Sequence, residues 1–316
     1  MSKINVSDAT EDNVVIGKLG MGWLPDYPDI NDYTAEKKDV SPKLKSMGQD
    51  SIKSMLKRVG VAEPAKLSLP GSVDLRAWCS PVENQGSLGS CTANAGVGLV
   101  EYFERRAFGK HIDASRLFLY KTTRNMSHWT GDTGAFLRTT MGALVLFGVP
   151  PEEYWQYNIA DFDKEPTAFC YAFAQNYQAI SYYRLDPPGT SNSTLLERIK
   201  VNLSGGLPSM FGFTVYNSID QAAATGKIPY PNRGEKISGG HAVVAVGYDD
   251  TIKIKNTFAG STETKGALLI RNSWGTAWGT MGGYLWLPYE YVLKGLADDW
   301  WSLMKNEWVE TGNFKA

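Results

Sequence analysis

The sequence lacks several things that would fix its class at once. No uninterrupted apolar run approaches the roughly 18 residues a membrane-crossing helix needs, so no membrane span is read. Charge of one sign is also missing: 32 Lys+Arg against 33 Asp+Glu leave −1. There is therefore no basic excess to draw nucleic acid or an anionic membrane surface. Three cysteines are too few for a disulfide scaffold. With three histidines and no C-x-x-C, no metal site is indicated, and no cofactor is implied. The first twenty residues, MSKINVSDATEDNVVIGKLG, hold no apolar stretch behind a basic start. No secretory signal is read there, which implies a cytoplasmic chain or export by another route.

What is present is the balance of an ordinary folded chain. At 43% hydrophobic and 21% charged, a sizeable core can form and wholesale disorder is excluded. The 316 residues, at roughly 150 per domain, allow two domains or one large one. Character changes near residue 70. Residues 1–70 are polar and broken by Pro25, Pro28, Pro42 and Pro64, with weak helical periodicity in SIKSMLKRVG, and read as an arm over a larger body. Within them GMGWLPDYPDINDYT (20–34) carries Trp23, Tyr27 and Tyr33 between Pro and Asp. That composition favours an extended backbone presenting aromatic anchors, expected to lie across or beside a cleft of that body and obstruct it.

After Leu69-Pro70-Gly71, VDLRAWC reads as a strand, followed by a glycine-rich turn (84–91). From Cys91 to Phe108, residues Ala95, Leu99, Tyr102 and Phe103 recur at helical spacing. Gly96 and Gly98 cost that helix up to about 1 kcal/mol each relative to Ala, so another element should pack closely there. Further helical patterns cover Ala135–Phe147 and Ser193–Leu203. Beyond Gly206, HAVVAVGYDD (241–250), GALLIRNSW (266–274) and GGYLWLPYEYV (282–292) read as strands. Helices first and strands second imply an α+β chain in two lobes.

A cysteine nucleophile acts as the thiolate, which a helix N-terminus stabilises. Cys91 stands where the turn G-S-L-G-S enters the Cys91–Phe108 helix. Among the histidines, His111 and His128 sit in polar, loop-like sequence, whereas His241 opens a hydrophobic strand after Gly239-Gly240. The separation 241 − 91 = 150 falls in the roughly 130–150 window of one cysteine–histidine arrangement. Asn272, in I-R-N-S-W-G (270–275), can accept the imidazole N–H and fix the tautomer. Gln85, six residues before Cys91 in N-Q-G-S-L-G-S-C, can donate to an oxyanion together with the Cys91 N–H.

On SVDLRAWCSPVENQGSLGSCTANA (72–95), GGHAVVAVGYDD (239–250) and LIRNSWGTAWGTMGGYLWL (269–287), the chain resembles papain-family cysteine peptidases. The G-S-L-G-S-C-T-A-N-A run is similar to the bacterial-type branch. The resemblance implies a papain-like α+β fold: a helical lobe (about 81–182) and a β-barrel lobe (about 183–300) within a domain at 71–316, with the cleft between them. It assigns Cys91 as nucleophile, His241 as general base and acid, Asn272 as orienter and Gln85 as oxyanion donor. Trp274 would shield the Asn272–His241 bond, and Trp278 would pack on the leaving-group side. Asp132, Thr133 and Gly134 would offer backbone to an extended substrate, to within a residue, and Gly240 would border a roomy specificity pocket. Relatives carry a cysteine near Cys170 whose usual partner is absent here, which leaves Cys79 and Cys170 either as a disulfide or as two buried thiols. The function implied is hydrolysis of peptide or protein substrates, by default as an endopeptidase. The alternatives are a catalytically silent interaction module and an acyl transferase using the same pair.

Overall fold

The computed structural model describes residues 19–36, 46, 51–61, 68–178 and 181–314. The segment read for a secretory signal up to residue 18, and residues 37–45 and 47–50 of the lysine-rich stretch, lie outside the described residues. In chain order the elements are α1 (Ile52–Arg58), β1 (Ser72–Asp74), α2 (Cys91–Phe108), α3 (Arg116–Met126), α4 (Leu137–Leu146), α5 (Ala168–Ala174) and β2 (Ser181–Arg184). Then come α6 (Asn192–Ser204), β3 (Ser209–Tyr216), α7 (Gln221–Thr225), β4 (Ile237–Ile254), β5 (Thr264–Arg271), β6 (Tyr284–Pro288), α8 (Glu290–Leu293), β7 (Ala297–Met304) and α9 (Asn306–Glu310). After the short β1, helices α2 to α5 precede the other six strands of a seven-stranded antiparallel sheet of order β2-β7-β3-β4-β5-β6, with β1 on β4. This is the α+β, two-lobe arrangement expected.

The strand β4 organises the sheet, pairing with β1, β3 and β5. Its residues His241–Tyr248 are all buried, because α2 packs over it as well. A strand covered on both faces reads as a continuous apolar run instead of an alternating one, and HAVVAVGY is such a run. The two glycines of α2 mark close approaches, as expected. A Cβ at Gly98 would stand 2.6 Å from Arg271 Nη1 of β5, and one at Gly96 3.1 Å from Leu119 of α3. Arg271 in turn donates to Ser80 Oγ (3.0 Å) and Pro81 O (2.7 Å), while Ser80 Oγ–H donates to Glu101 of α2 (2.5 Å). Sheet and helix are thus joined by a buried polar chain that pairs Arg271 Nη2, Ser80 and the Glu101 carboxylate, while Arg271 Nε stays buried without a hydrogen-bond partner; the pairing is what makes the buried charge tolerable.

Two expectations need correction, and one left open is decided. VDLRAWC is strand only to Asp74, whose carboxylate accepts from the Arg76 N–H and guanidinium; that turn sends Arg76–Trp78 into a 3-10 helix. In GGYLWLPYEYV the strand ends at Pro288 and α8 follows. Cys79 and Cys170 are both free and buried, not a disulfide. Cys79 Sγ–H faces Leu75 O (3.7 Å), while Cys170 lies between Thr167 Oγ1 (3.3 Å) and Tyr154 O (3.6 Å). The strands β2, β3 and β7 complete the sheet without having been singled out in the sequence.

Candidate active site

Cys91 is the first residue of α2. Its N-cap, Ser90, makes no side-chain cap, because its hydroxyl is shared with the Tyr157 hydroxyl at 2.6 Å. The N–H groups of the first turn therefore stay available to an anion. His241 lies in β4 opposite Phe213 of β3, and Asn272 directly follows β5, with its N–H on Gly283 O (3.2 Å). Adjacent strands thus hold His241 Nε2 at 2.7 Å from Asn272 Oδ1. Asn272 Oδ1 also accepts the Ser273 N–H (2.8 Å), so it is the amide's oxygen end. Nε2 must then carry the hydrogen, leaving Nδ1 as a lone pair. Nδ1 is buried with no hydrogen-bond partner. Trp274 stacks on the imidazole at 4.5 Å, Trp278 sits edge-on to Trp274 at 4.6 Å, and Phe213 meets the ring at 5.9 Å.

Gln85 is fixed to the same corner. Its Oε1 accepts from Ser273 Oγ (2.5 Å), its N–H donates to Ser273 O (2.8 Å), and its Nε2 donates to Leu88 O (2.8 Å). The sulfur of Cys91 is faced by the backbone N–H of Ala242, the residue after His241, and by those of Gly22, Thr92 and Trp23. The structure therefore brings Cys91, His241, Asn272 and Gln85 to one seam between α2 and the sheet, with Trp274, Trp278 and Gly240 beside them.

The charge state differs from the thiolate–imidazolium couple that the helix N-terminus favours. Both side chains are 0% exposed. Burial pushes the Cys91 thiol up to about 11, despite the N–H groups that favour its anion. Burial likewise pulls His241 down to about 4, against the Asn272 hydrogen bond. Desolvation opposes either charge, so the pair is neutral here.

Residues 20–24 run along this seam. Gly20 N–H donates to Gly86 O (2.9 Å), Trp23 N–H to Gly240 O (3.2 Å), Ala135 N–H to Gly22 O (2.8 Å) and Leu24 N–H to Ala135 O (3.1 Å). Trp274 Nε1–H donates to Gly20 O (3.0 Å). Trp23 is buried with its indole N–H toward Asp299 Oδ2 (3.3 Å). Tyr33 packs on Tyr182, whereas Tyr27 is exposed and is tied to the body through its carbonyl, which accepts from Arg138 Nη2 (2.7 Å). Arg138 binds Asp26 (2.5 Å) and Asp32 (2.8 Å).

The backbone groups that pair with the arm come one residue past the turn expected to face a substrate, within the residue that expectation allowed. Ala135 supplies both the N–H and the C=O. Asp132 Oδ1 instead accepts from Gly89 N–H (2.9 Å) and Tyr120 O–H (2.7 Å), Gly134 N–H donates to the Tyr120 hydroxyl (3.1 Å), and Thr133 Oγ1–H reaches Gly134 O (2.9 Å). Those three residues brace the loop. Sequence reading missed Ala135, which pairs with the arm, and Asp299, which meets the Trp23 indole. Among the described residues, Glu83, Asp113 and Glu152 bring carboxylate oxygens within 4.8 Å of one another. The Arg116 guanidinium already pairs with Glu83 (3.0 Å) and Glu152 (2.8 Å), so this cluster is an ion-pair network. No described helix is long and apolar enough to cross a membrane.

Comparison with known proteins agrees with this geometry. A family model described as Papain family cysteine protease matches residues 69–299. An uncharacterized peptidase C1-like protein of Acanthamoeba polyphaga mimivirus is 34% identical over 228 residues, 70% of this chain and 69% of that protein. Cysteine protease 1 of Oryza sativa subsp. japonica is 26% identical over 221 residues, which span 68% of this chain but only 40% of the rice protein. Among solved structures, xylellain, a cysteine protease from Xylella fastidiosa, matches with a TM-score of 0.68 at 32% identity, over 92% of this chain and 97% of xylellain. The chain belongs to the papain family of cysteine proteases, in its bacterial-type, xylellain-like branch.

Proposed function

We propose that this protein is a cysteine endopeptidase that acts through an acyl-thioester on Cys91 and is held inactive by its own residues 20–34. The observation that carries the chemistry is the imidazole tautomer. With Nε2–H fixed on Asn272 Oδ1, His241 offers Nδ1 as a base at a seam shared with Cys91. Once the seam is open to solvent, Nδ1 takes the thiol proton and the thiolate attacks the substrate carbonyl. The oxyanion receives the Cys91 N–H and the second N–H of Gln85 Nε2, whose amide Ser273 keeps in place. Collapse breaks the C–N bond as the imidazolium protonates the departing amine. Water then attacks the thioester, His241 Nδ1 takes its proton, and the thiolate leaves.

Cutting within chains is supported by the groove itself: residues 20–24 pass the Cys91 sulfur and continue beyond it on both sides. Inhibition is supported by how they pass. The N–H groups of Gly22 and Trp23 face the sulfur, and Gly22 O is turned to Ala135 N–H. The Gly22 carbonyl is thus committed to Ala135, which supports blocking without cleavage at that bond.

The test, run in the Trp23→Ala background that releases the arm, is turnover of a peptidyl-coumarin series, with an epoxide trap and mass mapping of the adduct. An adduct on Cys91 and a rate at least about 10³-fold lower for Cys91→Ala are expected. An undiminished rate in Cys91→Ala would end the reading.

A further inference from the structure

The pocket that Trp23 fills is built for a flat side chain that carries a hydrogen-bond donor at its far end. Its walls are glycine. A Cβ at Gly212 of β3 would stand 1.9 Å from the Trp23 ring, and one at Gly240 of β4 3.0 Å from it. Its end is Asp299, 0% exposed, with φ of +63°, a conformation that a residue other than glycine rarely adopts and that recurs at ligand-contacting positions. The pairing of β3 with β7 shifts register between Met210↔Trp301 and Gly212↔Asp298. Such an irregularity re-aims a side chain, and here it turns Asp299 into the pocket.

The two carboxylate oxygens differ in their partners. Oδ1 is engaged by the body, accepting from Trp301 Nε1–H (2.7 Å) and lying 3.1 Å from Arg184 Nη1. Oδ2 accepts from the Trp23 indole. When the arm leaves, Oδ2 faces a narrow, glycine-walled space. An apolar side chain entering there displaces water from a buried acceptor and returns nothing, whereas one with a donor restores the bond.

We propose that Asp299 is a specificity-determining residue that makes this pocket select tryptophan over phenylalanine and leucine in the substrate. The inference rests on the peptidase reading above. Gly22 lies over the Cys91 sulfur and its neighbour Trp23 enters the pocket, so in a substrate the pocket reads the residue next to the one that is cleaved. Arginine also carries donors. Its guanidinium, however, would enter beside that of Arg184, a buried like charge already close to the same carboxylate.

The experiment uses the full chain with Trp23→Ala, which vacates the pocket, and peptidyl-coumarin substrates varied only at that position among Trp, Phe, Leu and Arg. Expected is a kcat/KM for Trp about fivefold or more above Phe and Leu, the value of one hydrogen bond at the low end of the usual range. Adding Asp299→Ala is expected to bring the Trp-to-Phe ratio to about one. Since that change strips a partner from Arg184 and can cost the fold, Gly212→Ala is the second variant; by filling the wall it lowers the Trp-to-Leu ratio. Phe, Leu or Arg matching Trp with Asp299 intact overturns the proposal. Protection of Cys91 from iodoacetamide by acetyl-Trp-Gly-amide against acetyl-Phe-Gly-amide gives the same ranking without turnover. Selective protection with no hydrolysis of any substrate supports the pocket and sinks the peptidase reading, whereas hydrolysis without selectivity does the reverse.

Discussion

The leading residues contain two segments that hold to the body by different means. Residues 20–34 are held by main-chain hydrogen bonds, one buried indole and the ion pairs of Asp26 and Asp32 with Arg138. Residues 51–61 are held by apolar burial: Ile52, Met55, Leu56, Val59 and Val61 all enter the core, and α1 packs against α9. Apart from the Trp23 indole, the first kind of contact can be replaced by water or by a substrate strand at little net cost. The second cannot, because exposing packed apolar surface carries the full hydrophobic penalty. On the reading proposed above the first segment leaves, whereas the second is part of the folded body although it lies ahead of the family-matched region. A deletion through residue 60 would mix the two effects. Point changes separate them.

The largest effect is expected from Trp23→Ala. Loss of a buried tryptophan amounts to about 3 kcal/mol or more, and here it falls on docking of the arm. Turnover and iodoacetamide labelling of Cys91 should rise by about 10²-fold, with little change in the main unfolding transition. A large fall in Tm without activation would erase the distinction between the segments. Next, Met55→Ala, at a fully buried site in α1, should lower global stability by about 2–5 kcal/mol in denaturant titration and leave Cys91 labelling slow. Activation comparable to that of Trp23→Ala would show that both segments gate. Smallest is Arg138→Ala. Its ion pairs are partly solvated, so each contributes about 1 kcal/mol or less. A rise of about fivefold in labelling rate is expected, and wild type should move toward the variant as salt screens the pairs. A salt-independent difference would assign the effect to packing.

Much of the site was legible because its residues sit at element boundaries that local sequence marks. Cys91 follows a glycine turn into a helix, His241 opens an unusually continuous apolar strand, and Asn272 ends another. These boundaries depend on backbone preference and periodicity, which are local. Asp299 was not legible, since nothing near it in sequence says that β7 lies beside β3 or that a register shift turns its carboxylate into a pocket. Ala135 was missed by one residue for a related reason: which peptide of a loop faces a groove depends on the side chains that brace the loop from elsewhere, here Tyr120 and Gly89. Cys79 and Cys170 were undecided because sequence gives no distances.

By itself, then, the sequence determined the helix-then-strand order, the four residues of the candidate reaction centre and the aromatic arm. Only the tertiary structure decided that the thiol and imidazole are buried and neutral, that Trp23 fills a glycine-walled pocket ending at Asp299, and that α1 belongs to the core. The division follows from range. Propensity, capping and periodicity act over a few neighbouring residues, whereas burial, pKa and pocket shape are set by whichever distant segments come to lie within a few ångströms.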